Sequence, residues 1–305
     1  MTMTSLFKIG GWAVVVLATV FLAHQVYTYK TVLFSWSPSL MELGIVLVYT
    51  LIYGVSSLLL AIAWLAFVKL HQSKKVAPQI GLALYSRTSI AKYLPGNVFH
   101  YIGRQASGAL HEYGQTGLLV ASFYEIVGVL AVSCILVLVA LQFSSFRPDF
   151  FSVHLTLAAI VLCSAVPWGV NMVVPKVPAL KKRLPNRISS RLLSGQVLLA
   201  YLCYFLFFFI LGLLFHGTTI LLAKPGADIS LGTTLMISCL SWLAGCVTPG
   251  APAGMGVREA VIVAGLTPAM GGGQAILVAL LMRFITTAGD FFFFLLSFLF
   301  HSRQS

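Results

Sequence analysis

Six stretches of this chain are apolar for longer than the roughly 20 residues that carry a helix across the hydrocarbon core of a bilayer. They lie near residues 7–28, 43–68, 116–142, 153–174, 193–216 and 273–300. A soluble domain of 305 residues needs a charged surface, yet only 9% of these residues are charged and 59% are apolar. The mean hydropathy is +0.97. The sequence therefore predicts an all-α integral membrane protein forming a single polytopic domain over 1–305. The first apolar run follows only Lys8 and is succeeded by further spans, so it reads as a retained helix and not a cleaved signal.

The net charge of +12 is distributed in a way that bears on topology. Lys69, Lys74, Lys75, Arg87 and Lys92 follow the second span, and Lys176, Lys181, Lys182, Arg183, Arg187 and Arg191 follow the fourth. The opposite loops carry only Lys30, Arg147 and Lys224. This asymmetry places residues 69–92 and 175–191 in the cytoplasm, together with both termini. Because the basic clusters alternate with spans, anionic lipid heads explain them better than nucleic acid does. The five cysteines sit inside apolar runs without metal-ligand spacing, so no disulfide framework, metal site or cofactor is expected.

Two interruptions of the apolar pattern resemble each other. Pro95-Gly96 is followed nine residues on by Arg104, and Pro249-Gly250 is followed nine residues on by Arg258. A third pair, Pro225-Gly226, has no arginine at that spacing. Residues 88–112 are too short and polar to cross but can enter and return. The stretch 231–267 is broken at Thr248 to Gly254. Each half of the chain, about 1–143 and 153–305, then reads helix, helix, broken re-entrant segment, helix. With the spans threaded in order, the halves have opposite orientation, as in the inverted repeats of many transporters. Complete crossing by 231–247, giving seven or more ordinary helices, is the competing arrangement.

Irregular backbone at membrane depth must be buried in protein or line a wet cavity. A half-helix that starts there offers unpaired N–H groups and a partial positive charge to a phosphate. Gly96, Gly103, Gly250, Gly254 and Gly256 allow close backbone approach, and Arg104 and Arg258 add two-pronged donor forks. Lys92, Asn97, His100 and Tyr101 surround the first break. The candidate substrate-binding set is Lys92, Pro95, Gly96, Asn97, Gly103, Arg104, Pro249, Gly250, Gly254, Gly256, Arg258 and Glu259. Glu125, Arg283 and Asp290 are candidate counter-ions or coupling groups, since ionisable residues inside spans are functional candidates by default. Arg283 precedes Asp290 by two helical turns, so the two are expected to flank one cavity.

The run from Lys92 through Pro95-Gly96 to Gly103-Arg104 resembles the first signature of the lysylphosphatidylglycerol synthase transmembrane family. Pro249 to Glu259, ending Gly254-Met255-Gly256-Val257-Arg258-Glu259, resembles that family's second motif, with Ala251-Pro252-Ala253 replacing a shorter glycine-rich turn. Glu125 matches an acidic position early in the helix after the first motif. The resemblance implies a flippase-like domain standing alone, without the soluble synthase domain, in the cytoplasmic (inner) membrane. It implies a lipid flippase or scramblase, not an enzyme, with an anionic lipid as substrate and cell-envelope biosynthesis enzymes as partners. Two other readings of the residues stay open: an intramembrane transferase or hydrolase acting on polyprenyl phosphates, and a secondary transporter of a small anion. Oligomeric state is not set by the sequence.

Overall fold

The computed structural model describes residues 36–71, 76–94, 98–144, 195–248 and 251–301, together with 27, 30 and 31. The expected spans near 7–28 and 153–174 and the basic cluster 175–191 lie outside the described residues, as do Pro95, Gly96, Asn97, Pro249 and Gly250. Everything described is helix, turn or short connection, without a strand. The helices are α1 (Leu40–His71), α2 (Pro78–Ser89), α3 (Phe99–Leu110), α4 (Gln115–Leu141), α5 (Gly195–Leu222), α6 (Leu231–Val247), α7 (Val257–Met270) and α8 (Gly272–His301). A 3₁₀ turn, Ile90–Tyr93, extends α2, and another, Pro252–Gly254, precedes α7.

Four of these helices, α1, α4, α5 and α8, are long and apolar enough to cross a membrane. They coincide within a few residues with the spans expected near 43–68, 116–142, 193–216 and 273–300. Local chemistry sets their ends. At α1 the Ser39 backbone N–H donates to Glu42 at 2.7 Å while the Glu42 N–H donates to the Ser39 hydroxyl at 3.2 Å. This reciprocal capping satisfies donors that the first helical turn leaves without partners. At α6 the Ser230 hydroxyl accepts from the Thr233 N–H at 3.1 Å. Pro78 opens α2, where its missing N–H costs nothing.

Without a hydrophobic driving force between helices in lipid, association depends on close packing of small residues. Gly54 of α1 and Gly289 of α8 supply it. A Cβ on Gly54 would sit 2.7 Å from the Gly289 carbonyl oxygen, and one on Gly289 would sit 2.8 Å from the Thr50 carbonyl oxygen. The two backbones therefore touch directly. Around that crossing Trp64, Phe67, Tyr204, Phe207, Phe208 and Phe215 are almost fully buried. Most hydroxyls in the spans bond their own helix, as Thr50 does to the Val46 carbonyl at 2.8 Å and Thr218 to that of Leu214 at 2.8 Å. Their polarity is thereby neutralised locally.

The packing pairs have an internal symmetry. Exchanging α1 with α5, α2 with α6, α3 with α7 and α4 with α8 turns every principal helix–helix contact into another observed one. Thus α4 against α6 becomes α8 against α2, and α1 against α8 becomes α5 against α4. The α1–α5 contact and the contact between the two 3₁₀ turns map onto themselves.

Within residues 69–92, which the charge pattern places in the cytoplasm, residues 78–93 are helical and pack into the bundle. Gly81, Ala83, Ser86, Thr88 and Ser89 are buried on α2 alongside Leu84 and Tyr85, and so many small and polar side chains keep the helix from standing out as apolar in the sequence. Arg87 lies with its guanidinium 5.5 Å from the Phe298 ring of α8, and Lys92 is ion-paired, so neither is a plain loop charge.

Candidate functional site

The two 3₁₀ turns that adjoin the sequence breaks, Ile90–Tyr93 and Pro252–Gly254, are in contact. In the first, α2 tightens into the 3₁₀ turn carrying Lys92 and Tyr93, and the chain resumes as α3. In the second, α6 stops at Val247 and the chain turns through Ala253 (φ 49°), Gly254 (φ 70°) and Gly256 (φ 83°) before α7 begins. A Cβ on Gly254 would lie 2.6 Å from Gly245 Cα and 2.8 Å from Arg258 Nε, so glycine is needed there for space as well as for its positive φ.

Between the breaks lies a cavity of about 280 Å³. Lys92, Arg104 and Arg258 are the cations on its wall, with Glu125 and Asp290 as the carboxylates. Arg104 and Arg258, one from each break, therefore face a shared space. The lining nets one positive charge.

The charges are not equally committed. Arg104 is 2% exposed and ion-paired through Nη1 with Glu125, itself 5% exposed. The other Glu125 oxygen accepts from the Tyr85 hydroxyl at 2.7 Å, and the Arg104 guanidinium lies 3.8 Å from the Tyr85 ring centroid and 5.4 Å from that of Trp64. Such stacking suits the weakly hydrated guanidinium plane. Asp290 is held by Lys92 Nζ at 2.8 Å and by the Tyr93 hydroxyl at 2.6 Å, with the Tyr53 hydroxyl at 3.5 Å. These contacts join the first break to α8 in the other half of the chain.

Arg258 is different. Among the described residues no carboxylate is within ion-pairing distance of it, and its guanidinium lies 5.5 Å from the Trp242 ring; its buried Nε has no partner, which is equally true of Arg104 Nε. The uncompensated charge of the cavity is thus Arg258. His100 is also on the wall, on the short helix α3.

The remaining candidates divide. Gly103 is in α3 facing α2, where a Cβ would lie 3.3 Å from Thr88 Cγ2; it serves helix packing and is not on the cavity wall. Gly256 is the N-cap of α7, and its N–H donates to Glu259 at 2.7 Å. The other Glu259 oxygen is 3.5 Å from Arg283 Nη1. Glu259 and Arg283 line a second, smaller cavity, while Asp290 lines the larger one. The two cavities adjoin, with Tyr53, Trp242 and Arg258 on both walls, and Arg283 Nη1 donates to the carbonyl of Ala253 on the larger one at 3.2 Å. Tyr53, Tyr85, Tyr93 and Trp242 are site residues that the sequence reading passed over. Aromatic residues inside apolar helices read as packing, and only their partners reveal a polar role.

Neither the protein-family models nor the curated proteins compared with this chain give a match.

Proposed function

We propose that this protein moves a phosphate-bearing lipid across its membrane, with the head group passing through the cavity between the two breaks. The observation that carries this reading is Arg258, a guanidinium on the cavity wall with no carboxylate within ion-pairing distance among the described residues. A fork of that kind holds two phosphate oxygens at once. Bringing a charged head group into a low-dielectric interior is costly, and a fixed unpaired cation offsets the cost where it arises.

The fold supports transport through inverted halves. Helices α2 and α3 have 12 residues each, α6 has 17 and α7 has 14. At about 1.5 Å per residue each is shorter than the roughly 30 Å hydrocarbon core, as half-helices of re-entrant segments are. The exchange symmetry of the packing pairs is what an inverted repeat produces. The cavity wall also reaches the exterior at Val98, beside Leu94, Phe99 and Ile102, all 41–54% exposed. That apolar rim suits acyl or prenyl tails that stay in the bilayer while the head enters. A carrier of small soluble anions has no need of it.

Lipid movement in proteoliposomes tests the proposal. Fluorescent phosphatidylglycerol or a polyprenyl phosphate is expected to cross at least about tenfold faster than in protein-free vesicles, a gain of about 1.4 kcal/mol in barrier height. A neutral glycosyl diacylglycerol is expected to show little acceleration. Equal acceleration of both classes would remove phosphate recognition from the account, and none for either would remove lipid transport.

A further inference from the structure

Arg258 also lines the smaller cavity, a chamber of about 40 Å³ bounded by α1, α5, α6, α7 and α8. That volume is much smaller than that of the cavity between the breaks and suits a water-sized body. Three buried donors on its lining residues have no acceptor: Arg258 Nε, Arg283 Nη2 and Ser238 Oγ. Ser238 is 3% exposed, and like Ser122 and Ser297 but unlike Thr50 and Thr218 its hydroxyl does not bond its own helix. Unsatisfied buried donors in a native fold need an explanation, and an absent ion is one.

Charge narrows the occupant. The chamber's ionised groups are Arg258, Arg283 and Glu259, two cations against one carboxylate. Glu259 is already committed, one oxygen to the Gly256 N–H at 2.7 Å and the other to Arg283 at 3.5 Å. One monovalent anion would balance the set. A halide accepts from several donors and has no hydrogens of its own to place, which fits a wall whose unmet groups are donors. We propose that this chamber is a binding site for a small monovalent anion of the halide class, held by Ser238, Arg258 and Arg283. The inference rests on the chamber and its orphaned donors, and it stands whether or not the protein carries lipid.

The test is thermal unfolding of the purified protein in detergent, titrated with sodium chloride against sodium gluconate at constant ionic strength. Chloride is expected to raise the unfolding midpoint saturably, and gluconate is not. Ser238→Ala, which alters only the smaller chamber, is expected to weaken the apparent chloride affinity about tenfold, the loss of one hydrogen bond to a charged acceptor. His100→Ala, on the wall of the larger cavity alone, is expected to leave that affinity within about twofold. Absence of a chloride-specific shift overturns the site, as does a response unchanged by Ser238→Ala or abolished by His100→Ala. Bromide-soaked crystals of the unaltered protein give a second readout independent of variant folding. Anomalous density between Ser238 and Arg283 supports the site, and bromide confined to the larger cavity or the surface refutes it.

Discussion

Replacing Arg258 with alanine is expected to slow lipid movement about tenfold to a hundredfold while leaving the protein folded. Hydrogen bonds to a charged partner contribute about 1.5–3 kcal/mol, and each 1.4 kcal/mol is a factor of ten. The fold tolerates the change because no buried carboxylate depends on Arg258 among the described residues. Arg258→Lys keeps the charge but loses the planar fork, so an intermediate rate is expected. Both variants are to be compared with the unaltered protein in the same vesicles, together with their unfolding midpoints. A rate for Arg258→Ala within twofold of the original, at equal stability, would remove this residue from the transport step.

Arg104→Ala is expected to fail in the opposite manner, through the fold. Glu125 is 5% exposed, and removing its ion-pair partner strands a buried carboxylate. Breaking such a pair costs about 3–5 kcal/mol. In a chain of this size that corresponds to a fall in melting temperature on the order of 10 °C. The companion variant Arg104→Met with Glu125→Leu removes both charges and is expected to recover most of the loss, since apolar pairs of similar volume substitute well for buried ion pairs. Thermal melts of the two variants decide the matter. A stable Arg104→Ala protein, or a double variant no better than the single one, would show that the pair is not structural. The two arginines, alike in the sequence, thus separate into a supporting one and a free one.

The four long apolar helices were legible because their hydropathy is a local property. The two breaks stood out because Pro-Gly pairs, glycines and intramembrane arginines are all costly in lipid, and so signal special surroundings. Helix α2 was missed for the converse reason. Only Leu84 and Tyr85 among its buried residues are large, the rest being glycine, alanine, serine and threonine, and its Arg87 counts as a loop charge until the guanidinium is seen near Phe298. Long-range pairing was equally out of reach. Nothing local tells Lys92 that its carboxylate is Asp290 in the other half of the chain, or that Arg104 has an ion-pair partner while Arg258, among the described residues, has none. Ser238 carries no sequence signal at all. Its interest comes only from the lack of a partner for its hydroxyl.

The central claim is that one unpaired guanidinium between the two breaks receives a lipid phosphate. Its most direct test is a density map of the protein in nanodiscs containing phosphatidylglycerol. Phosphate density within hydrogen-bonding distance of Arg258, with its tails leaving past Val98 and Ile102, is the predicted result. An empty cavity, with lipid phosphates confined to the outer ends of α1, α4, α5 and α8, would contradict it.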